Sequence, residues 1–229
     1  MVIETPRREL QIVFGAAVLL ALLFRFVPAL DLNVARAFFG PDGFAPAKLG
    51  VNGIFYRLGD SGGKLLYVSL SFAAIGALLG APGLRAWRTR LAFLWLALAL
   101  GPGLLVHLVL KDQVERPRPY QVVEFGGPQA FVPAFTVPPP TARGASFVSG
   151  HASIAFYLMT LAWLFPRRRR DWLLASTAFG LAMGATRMSA GTHFLSDVVF
   201  AGVAVYFMTA LAAWVIVRLL RPDAGPAAA

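Results

Sequence analysis

No cysteine occurs among the 229 residues, which rules out a disulfide scaffold and leaves the redox compartment undecided. Charge is scarce too. Only 14% of the side chains are charged, against about a quarter in an ordinary soluble domain. Acids are the scarcer sign, with 11 Asp and Glu against 21 Lys and Arg, for a formal net charge of +10. With 58% hydrophobic and 13% aromatic side chains, the chain is not a disordered one. What fills the space is apolar runs. Roughly 20 apolar residues at 1.5 Å each cross a hydrocarbon core of about 30 Å, and six segments of the chain approach that length.

The six segments cover residues 12–30, 65–84, 91–110, 151–166, 172–186 and 198–217. The fifth is short for a span. The expected fold is therefore an all-α integral membrane protein of six transmembrane helices, one domain over residues 1–221, with a disordered tail at 222–229. Arg7 and Arg8 before the first run resemble the basic region of a signal peptide. The small-x-small site Ala35-Arg36-Ala37 lies too far beyond the apolar core ending at Phe24 for cleavage. An uncleaved first span is expected, with Arg25 snorkelling to the interface.

Arginine placement sets the orientation. Arg7 and Arg8, Arg85, Arg88 and Arg90, Arg167 to Arg170, and Arg218 and Arg221 fall in short connections or tails on one side. Both termini are accordingly expected in the cytoplasm. The run Arg167 to Arg170 reads as a topology anchor and not as a nucleic-acid patch, so nucleic acid is not an expected partner. Loops near 31–64, 111–150 and 187–197 fall on the opposite side. In the first, residues 32–39 are expected to lie along the interface as a short amphipathic helix. Residues 133–140 hold four prolines and must be extended or turning.

Ionisable residues at span ends are functional hypotheses by default, and three groups of them fall on the non-cytoplasmic side. Lys111 ends the third span and Arg118-Pro119 follows. Ser149-Gly150-His151 opens the fourth. Arg187 ends the fifth, and His193 and Asp197 open the sixth. Arginine's planar fork matches phosphate oxygens in a bidentate way, and lysine adds a point charge. Gly150 lets backbone approach an anion, Ser149 can donate a hydroxyl, and helix N-termini offer free N–H groups. The set reads as a phosphate cradle without a metal, since no carboxylate cluster for magnesium and no HExxH pair for zinc is present.

Two histidines complete the chemistry. His193 and Asp197 are four apart, one helical turn if the segment is helical, so the carboxylate can hold one ring N–H and aim the other nitrogen at an electrophile. His151 can protonate a leaving oxygen as general acid. A single His–Asp pair is more often structural, and a lone Arg or Lys at a span end is usually an anchor; their joint order and spacing argue otherwise here. His107, inside the third span, is read as structural. Asp112, Glu115 and Arg116 are read as solvated loop charges.

Lys111-(six residues)-Arg118-Pro119, Ser149-Gly150-His151 and Arg187-(five residues)-His193-(three residues)-Asp197 together resemble the three-part signature of the type 2 phosphatidic acid phosphatase superfamily. Val148 stands where that family often has proline and Thr186 where it often has serine. The resemblance implies His193 as the nucleophile that forms a phosphohistidine, Asp197 as its orienter and His151 as the acid. It also implies Lys111, Arg118, Ser149, Gly150 and Arg187 as phosphate ligands, with no cofactor.

The flanks Glu124-Phe125-Gly126-Gly127 and Ser146 to Ser153 resemble the bacterial branch acting on lipid A. The expected substrate is thus a lipid phosphate at the periplasmic face of a bacterial inner membrane, with Arg116 and Arg143 holding a second anionic group. Undecaprenyl diphosphate and phosphatidylglycerophosphate are the alternative substrates. A transporter of anionic lipid or phosphate is the rival from another class, although transporters place their polar residues at the midplane and show internal repeats. The oligomeric state is left open.

Overall fold

The computed structural model describes residues 2–110 and 115–220. Among them the regular structure is helical, with isolated bridges and no strand. Helix α1 (Arg7–Phe26) has Glu9 in its first turn and Arg25 in its last, the charge order that the helix dipole favours. Pro28 follows at once and cannot continue it, and α2 (Ala29–Ala37) starts from that proline.

Residues 50–64 belong to a helix, not to the loop expected there. Helix α3 (Gly50–Arg57) passes through a π-helical turn, Leu58–Gly62, into α4 (Gly63–Leu78). Five glycines and three charges hide this stretch from a pattern reading, because glycine costs about 1 kcal/mol per residue in a helix. Packing against neighbouring helices overrides that local cost.

Helix α5 (Arg88–Leu98) widens into a π-helix over Ala99–Leu110. Pro102 is the cause, since it has no N–H to give to the Leu98 carbonyl one turn back. Tyr67 on α4 donates its hydroxyl to that carbonyl at 2.7 Å instead. Further on come α6 (Gly150–Phe156), a 3₁₀ turn at Tyr157–Thr160, and α7 (Leu161–Leu164). Helices α8 (Arg169–Ser189) and α9 (Leu195–Leu220) complete the chain.

Among the described residues four helical stretches are long and apolar enough to cross a bilayer: Arg7–Phe26, Gly50–Leu78, Arg85–Val106 and Leu195–Leu219. A shorter apolar stretch, Gly150–Leu164, corresponds to the expected fourth span. The expected fifth lies within the 21-residue α8, which begins with Arg169, Arg170 and Asp171 and is less apolar than the others. Ile12, Phe14, Leu19 and Phe26 on α1 and Leu65, Phe72 and Leu78 on α4 face outward, as side chains against lipid do.

Helix α9 forms the centre, packed by α5, α6, α8 and α2. A Cβ on Gly184 of α8 would overlap the Val198 side chain of α9, so only glycine permits the close approach that sets Arg187 beside the start of α9. The N-terminal end of α8 and the middle of α9 meet a different set of groups. Arg169 binds Glu9 through Nε at 3.2 Å and Nη2 at 2.6 Å, and Tyr206 donates to the same carboxylate at 2.6 Å. Arg7, Arg8, Arg167, Arg168 and Arg170 are exposed near this end. It lies about 27 Å from Arg187 along α8, at 1.5 Å per residue.

Candidate active site

The N-termini of α6 and α9, the C-terminus of α8, the π-turn of α3–α4 and the chain after residue 115 converge on a cavity of about 560 Å³. Arg118, Gly150, His151, Arg187 and His193 line it. Three histidine- or arginine-bearing segments far apart in sequence thus share one wall. A larger, shallower depression of about 750 Å³ beside Arg85 and Arg88 has no histidine and no carboxylate among its lining residues.

His193 sits in the turn before α9, not on the helix. The reason is local. Asp197 is the third residue of α9, and its Oδ2 accepts the Phe194 N–H at 2.7 Å, the carboxylate half of a capping box. His193 Nδ1 lies 2.7 Å from the Ser146 carbonyl oxygen. A carbonyl only accepts, so Nδ1 carries the hydrogen and Nε2 keeps the lone pair. Asp197 Oδ2 is 3.6 Å from Nδ1, an electrostatic neighbour and not its hydrogen-bond acceptor. That same Oδ2 accepts the Ser146 hydroxyl at 2.5 Å, so the carboxylate fixes the residue whose carbonyl fixes the ring. Burial pushes the His193 pKa below its ordinary 6.5, with Arg118 acting in the same direction and Asp197 against it.

Arg187 is 4% exposed, and its Nε and Nη1 have no hydrogen-bond partner in the protein. Buried guanidinium donors are ordinarily satisfied, so these two point to an acceptor from outside the chain. Arg118 follows a buried proline and is held by a 2.8 Å bond from its N–H to Gln121 Oε1. Gly150 and His151 form the first turn of α6, where backbone N–H groups are exposed to the cavity. Ser149 is fully buried, and its Oγ caps α6 by accepting the Ala152 N–H at 3.4 Å. Its hydroxyl is behind the wall, not in it. Lys111 and Asp112 lie outside the described residues.

Arg116 departs most from expectation. It is 1% exposed, not a solvated loop charge. Its Nη2 meets Asp31 Oδ2 at 2.9 Å and its Nη1 meets Asp197 Oδ1 at 2.6 Å. Nε donates to the Val132 carbonyl at 2.9 Å, and the Phe194 ring lies 4.5 Å from the guanidinium carbon. Ser196 donates its N–H and its hydroxyl to Asp31 at 2.8 and 2.6 Å. Burial pushes the Asp31 carboxyl upward, against the pull of Arg116.

Residues 32–37 of the expected 32–39 helix lie in α2, and one acid of α2, Asp31, reaches inward to the N-terminal end of α9. Arg116 is therefore committed to two buried acids and does not line the cavity, so it is not placed to hold a second anion. Arg143 is exposed and occupied by Glu115 at 3.2 Å and by the carbonyls of Pro140 and Ala142 at 2.7 Å. It does not line the cavity.

Four polar lining residues were not singled out in the sequence: Tyr56, Asp60, Lys64 and Tyr67. Lys64 pairs with Asp60 at 3.0 Å. The signal available for them was a pair of charges at the edge of an apolar run, the same signal that flagged the arginines.

The PAP2 superfamily model matches residues 92–221. A lipid A 4'-phosphatase of Francisella tularensis subsp. novicida (strain U112) is 38% identical over 136 residues, 58% of this chain and 60% of that protein. One from Rhizobium etli is 34% identical over 214 residues, 81% of each chain. One from Rhizobium leguminosarum is 41% identical over 103 residues, 44% of each. The chain thus spans less than two thirds of two of these relatives. No solved structure matches.

Proposed function

The chain belongs to the PAP2 superfamily, and from that premise we propose that it is a membrane phosphatase that removes a phosphate from a lipid of the lipid A type. One observation carries the reading: Arg187 Nε and Nη1, buried and unbonded within the protein, share a cavity wall with His193, His151 and Arg118. Two arginines and the N-terminal turn of α6 suit the three oxygens of a phosphoryl group, whose charge spreads over them in transfer.

The steps in this reading start from the His193 tautomer, whose Nε2 keeps the lone pair. His193 Nε2 attacks phosphorus and forms a P–N bond as the P–O bond to the lipid breaks. His151 gives its proton to the departing oxygen. Now neutral, His151 takes a proton from water, which attacks phosphorus and breaks the P–N bond. Inorganic phosphate leaves and both rings regain their starting states. The Ser146 carbonyl holds the Nδ1–H throughout, and Asp197 stabilises the charge the ring gains. Lys111 and Arg118 belong to the phosphate ligands in this reading, and Ser149 acts by holding the turn of α6.

The setting is a six-span domain in a bacterial inner membrane, termini in the cytoplasm and cavity facing the periplasm. Exposed arginines at the opposite end from the cavity support that orientation. The lipid A names of the relatives support the substrate class. Phosphate release from lipid A in mixed micelles, with mass spectrometry of the lipid product, tests the proposal. The detergent-solubilised chain should remove one phosphate, and His193→Ala should remove none. Rapid turnover of undecaprenyl diphosphate with lipid A intact would overturn the substrate and leave the phosphatase.

A further inference from the structure

The cavity's second wall comes from α3–α4, which carries none of the residues given a role in the reaction. There the Tyr56 ring lies 5.1 Å from the His151 ring, with an angle of 36° between their planes. The Arg187 guanidinium carbon lies 5.4 Å from the same ring, and Lys48 Nζ lies 5.2 Å from it. The Tyr56 ring thus has two cations and an imidazole as neighbours. Three residues on, in the π-turn, a Cβ on Gly59 would overlap the His151 ring. Gly63, one turn further, is packed against Ile154, so the first turn of α6 is seated on a strip of α3–α4 at two points.

We propose that Tyr56 and Gly59 are positioning residues for the reaction: Tyr56 holds the His151 ring and the Arg187 guanidinium in register, and Gly59 gives the imidazole its room. The inference rests on the reading of His151 as the acid. A general acid works only within hydrogen-bond reach of the leaving oxygen, and a ring that is free to turn about its side-chain bonds spends much of its time elsewhere. Tyr56 limits that freedom from one side, and the π-turn backbone limits it from another. The π-turn has a matching cause. An extra residue per turn moves Gly59 and Asp60 together to the cavity side, and such bulges are frequent at functional sites.

The test separates help to the leaving group from general damage. Decyl phosphate has a poor leaving group and p-nitrophenyl phosphate a good one. Both are assayed on the detergent-solubilised full chain, with kcat compared as a ratio of aryl to alkyl substrate. His151→Ala should raise the ratio by about 10²-fold or more, the contribution expected of a general acid. Tyr56→Leu and Gly59→Ala should raise it in the same direction by about tenfold, since they misplace the acid without deleting it. Tyr56→Phe keeps the ring and should restore the parent ratio.

Equal loss on both substrates in Tyr56→Leu and Gly59→Ala, beside a raised ratio in His151→Ala, would overturn the inference alone. A His151→Ala protein with an unchanged ratio would overturn the assignment of the acid, and the inference with it. Should Gly59→Ala fail to fold, the Tyr56→Leu and Tyr56→Phe pair still decides.

Discussion

Arg116 Nη1 lies 2.6 Å from Asp197 Oδ1, and both side chains are closed to solvent. One guanidinium joins the acid beside the candidate nucleophile to Asp31, an acid 85 residues earlier in the chain. Its task is to hold α9, α2 and the loop after residue 115 in one arrangement.

Arg116→Met should therefore act on stability before chemistry. Removing one partner of a buried ion pair leaves an uncompensated charge and costs about 3–5 kcal/mol. Thermal unfolding in detergent should show a lowered midpoint. The double variant Arg116→Met with Asp31→Asn should recover part of the loss, because the orphaned carboxylate is then removed. Independent, additive losses would show that the two residues are not coupled.

How much of this was legible beforehand depends on distance along the chain. His151, Arg187 and His193 each sit at the edge of an apolar run, where a charge is unexpected, and so they declare themselves; Arg118 is marked only by its spacing from Lys111. Arg116 sits among other loop charges and has no such local mark. Its burial depends on Asp31, which no periodicity links to it. Asp31 itself carries a signal, as an acid just past the first apolar run. The π-turn wall was hidden for another reason. Glycine content made residues 50–64 read as a loop, and only packing against α6 makes them helical.

The pH profile follows from the burial of His193. Its pKa is held below 6.5, so at pH 6.5, where an ordinary histidine is half protonated, most of the nucleophile is neutral. Activity should fall on the acid side with a midpoint below pH 6.5. The unfolded chain binds this proton more readily than the folded one, so folding stability also drops as pH falls through that window. An acid limb centred at or above pH 6.5 would contradict the assignment of His193.

Trapping should identify the covalent step. Brief exposure to radiolabelled substrate and quenching in alkali should leave label on the parent protein, where phosphohistidine survives. His193→Ala should carry none and should lose about 10⁴-fold or more in turnover, as expected when a nucleophile is deleted. Label retained in that variant would place the nucleophile elsewhere.

Arg187→Lys tests the cradle. The charge remains but the fork does not, and the two unbonded nitrogens cannot both be replaced by one ammonium. Charge-assisted hydrogen bonds contribute about 1.5–3 kcal/mol each, so kcat/KM should fall roughly 10- to 100-fold while the fold survives. Orthovanadate inhibition should weaken in parallel.

Orientation is open to labelling, because the chain has no cysteine of its own. Val137 is 90% exposed on the cavity side and Ala86 is exposed near Arg85 and Arg88. In intact cells with a permeable outer membrane, Val137→Cys should react with an impermeant maleimide and Ala86→Cys should not. The reverse pattern would turn the cavity to the cytoplasm.

Tyr67 has a consequence for motion. Its hydroxyl supplies the donor that Pro102 withholds from the Leu98 carbonyl, and the same side chain lines the cavity. Should α4 and α5 slide past each other, that carbonyl would be stranded in hydrocarbon without a donor, at a cost of several kcal/mol. The two helices must therefore travel as a single body. Any opening that lets a bulky headgroup reach His193 has to hinge outside this pair, and a bilayer that stretches or thins will load both helices at once.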